Sequence, residues 1–392
     1  MTSAPPMGAP DRPWIPRFWY GMGCGAWLRL LARHGWAITP ARVPMALGTA
    51  SAGIFNSTMA LVQHARYGRR IAATPLRDDP IIIVGHWRSG TTLMHELLSL
   101  DERHTFPHTY ACFAPTHFLV SERMVAPWLR HLLPDRRPMD NMPAGLLRPQ
   151  EDEFALCNMG MPSPYLTMLF PNQPPRYDDY LDLAGVADAP RQAWMEHLLH
   201  FYRCVCLARP GRLVLKSPLH TARLQHLLRV FPRARIVHMV RHPYDLCAST
   251  LALWRRLYRD QALQHPDYTG LLTAVVQTHC RMYHAFHAAT ATLPSGQCCD
   301  VRYEDLRHDP LRAVLRVYEV LELGAFEKVQ PAMERYWQTA RLHRPNACTL
   351  DASARALVDQ AWASYFQNYG YAPAPVRGAG GCAEPVTTLR RG

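Results

Sequence analysis

The chain has 392 residues, of which 48% are hydrophobic, ample for a large buried core. Its formal charge of +12 suits a polyanionic partner: nucleic acid, an anionic membrane surface or a small phosphorylated ligand. The 11 cysteines are odd in number and show no CxxC pairs at zinc-ribbon spacing, and Ser99 breaks the HExxH pattern begun by His95-Glu96. This excludes those zinc sites and predicts reduced, mostly buried thiols.

Residues 1–17 are Pro-rich and polar, without the apolar core of a secretory signal, and read as a disordered tail. Residues 18–75 read as helices with aromatic and Arg-rich faces, a helical extension ahead of the main domain at 76–373. Within it, 43–65 carries no formal charge apart from His64, yet Pro44, Gly48, Gly53, Asn56 and Gln63 dilute it. A packed or interfacial helix is expected rather than a bilayer span. The Asn56-Ser57-Thr58 sequon inside this run is read as chance.

Ile81-Ile82-Ile83-Val84 is a buried strand by length and β-branching. A helix is expected from Thr91 to Leu100. Residues 110–200, dense in proline, read as short helices between fixed turns, an insertion that shapes an acceptor pocket. Residues 213–215, 235–240 and 298–303 are further strands, with helices at 221–230, 244–258 and 310–321. Strands alternating with helices predict an α/β fold: a P-loop-like parallel sheet flanked by helices. The segment 374–392, rich in Gly and Pro, reads as a flexible tail.

Gly85-His86-Trp87-Arg88-Ser89-Gly90-Thr91-Thr92 follows a strand and opens a helix, so free N–H groups and the positive helix end meet an anion there. The two glycines match the spacing of an ATP-binding loop, and Thr92 takes its hydroxyl position, but Thr91 replaces the lysine that reaches the β- and γ-phosphates. Without that lysine, and with Arg88 inside the loop, it suits a 5′-phosphosulfate better than a triphosphate. Arg241, after the third strand, and Ser249, on the next helix, can converge on a second phosphate.

Together these segments resemble the sulfotransferase superfamily, nearest its bacterial branch and the tyrosylprotein enzymes, which also carry Arg-Ser-Gly-Thr-Thr in the loop. The Arg241 to Ser249 spacing, Leu215-Lys216-Ser217-Pro218 and Tyr303-Glu304-Asp305-Leu306 are similar to the family's other landmarks. The resemblance implies 3′-phosphoadenosine-5′-phosphosulfate as co-substrate and no metal. It places the 5′-phosphosulfate on Arg88, Ser89, Gly90, Thr91 and Thr92, the 3′-phosphate on Arg241 and Ser249, and adenine near Tyr303.

Sulfuryl transfer needs cations on the bridging and equatorial oxygens and a base for the acceptor proton. Lys216 suits the bridging oxygen; it is one of only two lysines, with Lys328. Arg88 would hold the phosphosulfate from the loop side. For the base, His220 and the cluster Glu151-Asp152-Glu153, with Glu151 and Glu153 as its candidates, stand level, and His108 is third. A His220 that only caps a helix and acids that only start one are the plain alternatives. The expected partner is a small-molecule, glycan or lipid acceptor, not nucleic acid. The expected compartment is the cytoplasm, with membrane contact through the N-terminal helices left open. The rival functions are a phosphotransferase with a degenerate phosphate loop and a non-catalytic peripheral membrane protein.

Overall fold

Five parallel strands form the centre of the protein, in the order β2-β3-β1-β4-β5. They are β1 Ile81–Val84, β2 His104–Thr105, β3 Arg212–Lys216, β4 Arg235–Val240 and β5 Cys298–Arg302. The computed structural model describes residues 17–129, 145–340 and 348–373. The expected terminal tails lie outside these residues almost entirely, as does the stretch with Pro134, Pro138 and Pro143.

The unbroken apolar run of β1 is explained by its place. It pairs with β3 on one side (Ile83 opposite Lys216) and β4 on the other (Val84 opposite His238), and all four residues are buried. Alternation sorts the strand side chains between two cores. Ile82, Val84, Leu213, Leu215 and Ile236 pack towards the helices Asp188–Ala208, His220–Val230 and Leu271–Thr290. Ile81, Ile83, Val214, Val237 and Met239 pack towards Thr91–Leu98 and Pro310–Val320. After β1 the chain builds β2 and β3 on one flank, then crosses to β4 and β5 on the other. The C-terminal edge of β1 is therefore the switch point where sheets of this kind open a ligand crevice.

The predicted strands and their helices are present with small shifts. The loop helix ends at Leu98, and Tyr303 starts a helix instead of closing β5. The edge strand β2 and the helix Leu271–Thr290 are additions to the predicted set. At the N-terminus, Cys24–Arg33 and Val43–Ala73 are helices. Trp19 stacks on Trp27 with centroids 5.0 Å apart, in a third apolar cluster that reaches the phosphate loop through Trp87. Asn56 of the chance sequon is buried and donates from Nδ2 to the carbonyls of Tyr20 and Met22.

Candidate active site

Gly85 leaves β1 at φ +136°, and a Cβ there would stand 2.5 Å from the Met239 carbonyl oxygen. Conformation and space both demand glycine. Its N–H donates to Thr221 Oγ1 at 2.8 Å, fastening the loop to the helix behind it. Gly90, at φ +100°, caps the loop helix with its Cα against the Tyr303 ring, 2.5 Å from a notional Cβ. Arg88 between them is also at positive φ, +70°, a left-handed conformation costing a residue with a Cβ about 1–2 kcal/mol. Two contacts hold it there: Arg88 Nε donates to Ser249 Oγ at 2.9 Å, and Arg241 donates to the Arg88 carbonyl at 3.0 Å. Ser89 Oγ donates to the His86 carbonyl at 2.7 Å and is buried, so its hydroxyl closes the turn.

Residues from three separate elements thus meet beside the loop: Arg241 at the end of β4, Ser249 on the helix Pro243–Gln261, and Tyr303 after β5. The Arg241 guanidinium lies 4.5 Å over the Tyr303 ring. Its Nε is buried without a protein acceptor. A buried cationic donor left unmet by protein fits an anionic group of the ligand.

On the other flank Lys216 ends β3 with its side chain 1% exposed. Its Nζ donates to Glu151 Oε1 at 2.7 Å and reaches Thr92 Oγ1 of the loop helix at 3.5 Å. Glu151 Oε2 accepts from the Tyr165 hydroxyl at 2.5 Å, and that hydroxyl accepts from Trp87 Nε1 at 2.9 Å. Burial, reinforced by the nearby Glu151 carboxylate, pushes the Tyr165 phenol well up, so it stays a neutral donor. The phosphate loop, the lysine and one carboxylate are therefore linked through Trp87 and Tyr165.

The neighbouring carboxylates have other partners. Asp152 Oδ2 meets His220 Nε2 at 2.9 Å and accepts from the Tyr202 hydroxyl at 2.6 Å, with Asp152 and His220 both fully buried. Glu153 is paired with Arg223, accepts from Ser163, and has no exposed surface. Arg223 itself lies 4.5 Å over the Trp194 ring. His108 caps the helix Thr109–Phe113 by accepting from Ala111 N–H, stands 3.5 Å from Glu122, and is pushed by burial down to about 4. Of the four candidate bases, the structure brings only Glu151 to Lys216 within hydrogen-bond distance. Among the described residues no group of three His, Cys, Asp or Glu side chains is placed to hold a metal.

A buried pair such as Glu153–Arg223 is costly to break from one side, by about 3–5 kcal/mol. Arg223→Met is expected to lower stability by that order in urea unfolding. Glu153→Gln, which keeps the shape but sets an amide donor where a carboxylate oxygen accepted from Arg223, is also expected to lower stability, with the folded fraction keeping near wild-type turnover. A Glu153→Gln enzyme that folds normally but has lost turnover would move the base to Glu153.

Trp87 stands in the loop motif and Tyr165 in the proline-dense insertion, but the sequence gives neither a link to the carboxylates. The only local signal was a tryptophan in a loop otherwise made of small, hydroxyl and basic residues.

Residues 80–328 match the model of the Sulfotransferase family. The chain belongs to that family. The match spans every strand and both flanks of the site, and it decides against the phosphotransferase alternative. This sulfotransferase is 41% identical over 369 residues to the omega-hydroxy-beta-dihydromenaquinone-9 sulfotransferase Stf3 of Mycobacterium tuberculosis, and equally to its counterpart in Mycobacterium bovis. The alignment covers 93% of the present chain and 95% of the relative. Among solved structures it resembles sulfotransferase STF9 from Mycobacterium avium (21% identity, TM-score 0.65, 90% of this chain and 97% of that one). It also resembles STF1 from Mycobacterium tuberculosis H37Rv (20%, 0.60, 88% and 94%). These two likenesses show the fold.

Proposed function

We propose that this sulfotransferase takes the sulfuryl group from 3′-phosphoadenosine-5′-phosphosulfate and passes it to the hydroxyl of a lipid acceptor, with Glu151 as base and Lys216 on the bridging oxygen. The observation that carries this reading is the pair of buried Lys216 and partly exposed Glu151, set against Thr92 of the phosphate loop. A carboxylate beside the transfer cation puts proton acceptance and charge stabilisation within a few ångströms of each other.

In the proposed step the acceptor oxygen forms a bond to sulfur as its proton passes to Glu151. The bond between sulfur and the donor's bridging oxygen breaks, and its electron pair stays on that oxygen. Lys216, a compact ammonium on a flexible stem, follows this charge. Loop N–H groups and Arg88 serve the 5′ end. Arg241, with its unmet Nε, and Ser249 serve the 3′-phosphate, while Tyr303 borders the adenine. His220 and Glu153, fixed in buried pairs, take structural roles. The lipid acceptor is supported by the likeness to the Mycobacterium enzyme whose name gives a hydroxylated dihydromenaquinone, and we extend that class, a hydroxyl on a long apolar lipid, to this chain.

Donor choice tests the first half. With EDTA present, calorimetry is expected to show adenosine-3′,5′-bisphosphate binding far more tightly than AMP. Arg241→Ala should weaken the bisphosphate by about ten- to a hundredfold, the scale of a lost charged hydrogen bond. Equal affinity for the two nucleotides would move the 3′-phosphate elsewhere. For the acceptor, radiolabelled sulfate should pass to a detergent-dispersed hydroxylated menaquinone faster than to simple phenols; the reverse order would defeat the lipid assignment.

A further inference from the structure

The helix Val43–Ala73 has its polarity inverted. Three residues seven apart, Leu47, Ile54 and Leu61, are 64%, 61% and 72% exposed. Three others seven apart, Thr49, Asn56 and Gln63, are buried. Two residues along a helix is about 200° of turn, so these are opposite faces. The inward polar groups are satisfied within the protein: Asn56 holds the Tyr20 and Met22 carbonyls and meets His117 Nε2 at 3.1 Å, and Gln63 Oε1 accepts from Leu119 N–H at 2.9 Å. Gly53 lies so close to Cys24 that a Cβ would meet its N at 2.8 Å. The apolar stripe is therefore turned outward by construction. Trp128, 77% exposed on the adjoining helix Phe118–Leu129, adds to the apolar surface of this region.

Charge identifies what covers it. Residues 12–77 contain nine arginines and neither Asp nor Glu. Arg66, Arg69 and Arg70 stand exposed at the end of the stripe. A second copy meeting this face by two-fold symmetry would set arginine-rich surface against itself. An anionic bilayer meets both features, taking the apolar side chains at the acyl boundary and the arginines among phosphates. The helix is long and apolar enough to cross a membrane. However, its bonds to the body at Asn56 and Gln63 hold it along the protein surface, so it lies in the plane. The same N-terminal segment reaches the site: Asn158, ending the helix that begins with Glu153, donates to the Phe18 carbonyl at 2.6 Å.

We infer that the outward face of Val43–Ala73, with its flanking arginines, docks the enzyme on an anionic lipid surface as an in-plane helix. This stands independently of the acceptor assignment. The test is sedimentation of the full chain with vesicles of phosphatidylcholine with and without phosphatidylglycerol. Wild type should bind the anionic vesicles, less so as salt rises. Leu47→Glu/Ile54→Glu/Leu61→Glu should lose at least about tenfold in partitioning, with its melting temperature and bisphosphate affinity kept. Arg66→Gln/Arg69→Gln/Arg70→Gln, which leaves the apolar stripe intact, should weaken binding to anionic vesicles alone. Three results would overturn the inference: wild type that ignores anionic vesicles, a triple glutamate variant that binds like wild type, or membrane-bound protein that resists alkaline carbonate extraction, which marks a span. Light scattering that shows a dimer dissolved by the glutamate substitutions, without vesicle binding, would assign the face to a second copy instead.

Discussion

Lys216→Ala is expected to cut turnover by about a hundredfold or more, on the scale of other lost transition-state donors, while donor affinity changes far less. Charge on the bridging oxygen is small in the bound donor and grows as the bond to sulfur breaks. A cation that follows it contributes more to the transition state than to binding. The structure adds a second consequence. Lys216 Nζ also donates to Glu151 Oε1 at 2.7 Å, so removing it frees the carboxylate proposed as the base, and the loss of that placement should add to the loss of the cation. Lys216→Arg should recover only part of the rate, because a planar fork cannot place one compact charge on one oxygen in a buried slot. The measurement is single-turnover transfer, with bisphosphate binding measured separately and folding checked by circular dichroism. A folded Lys216→Ala enzyme with near wild-type turnover removes Lys216 from the chemistry. Equal losses of binding and rate make it a donor-holding residue.

The convergence of the loop, Lys216 and Arg241 at one edge of the sheet was legible in the sequence because it rests on local rules. A strand of mostly apolar residues ends in Gly85, another in Lys216 and a third in Arg241, and a parallel sheet brings such strand ends to one edge. Lys216 stood out further because the chain is almost without lysine. The partners of the three carboxylates were not legible. Glu151, Asp152 and Glu153 are consecutive and chemically alike, so composition cannot rank them. Near a helix start, successive side chains point about 100° apart, and what each one meets is set by distant segments: Lys216 for the first, His220 and Tyr202 for the second, Arg223 for the third. The helix Leu271–Thr290 was missed for a related reason. Its buried face includes His279, which stacks on Trp362 at 3.8 Å, and a histidine used as an aromatic core residue does not register as apolar. In Val43–Ala73 the apolar pattern showed, but the side it faces did not. A helix that buries its asparagine and glutamine reads, by periodicity alone, the wrong way round.

Glu151→Gln is the substitution expected to separate the three carboxylates. Glutamine keeps the shape and can still accept from the Tyr165 hydroxyl, but it cannot take the acceptor proton. Turnover should fall by roughly a hundred- to ten-thousandfold, the range for a lost general base, with donor affinity little altered. Tyr165→Phe provides the graded counterpart. It removes the 2.5 Å hydrogen bond to Glu151 Oε2 and leaves the carboxylate in place. Tyr165→Phe should therefore keep more turnover than Glu151→Gln, with donor affinity unchanged, which marks a positioning residue and not a proton acceptor. Asp152→Asn disturbs only the buried His220 and Tyr202 contacts, so it should lower stability while the folded fraction keeps near wild-type turnover. If Glu151→Gln keeps more than about a tenth of its turnover, far above the range for a lost base, Glu151 is a counter-ion of Lys216 and nothing more. The acceptor proton would then have to leave by another route, and Asp152→Asn, acting through His220, would become the variant that loses turnover.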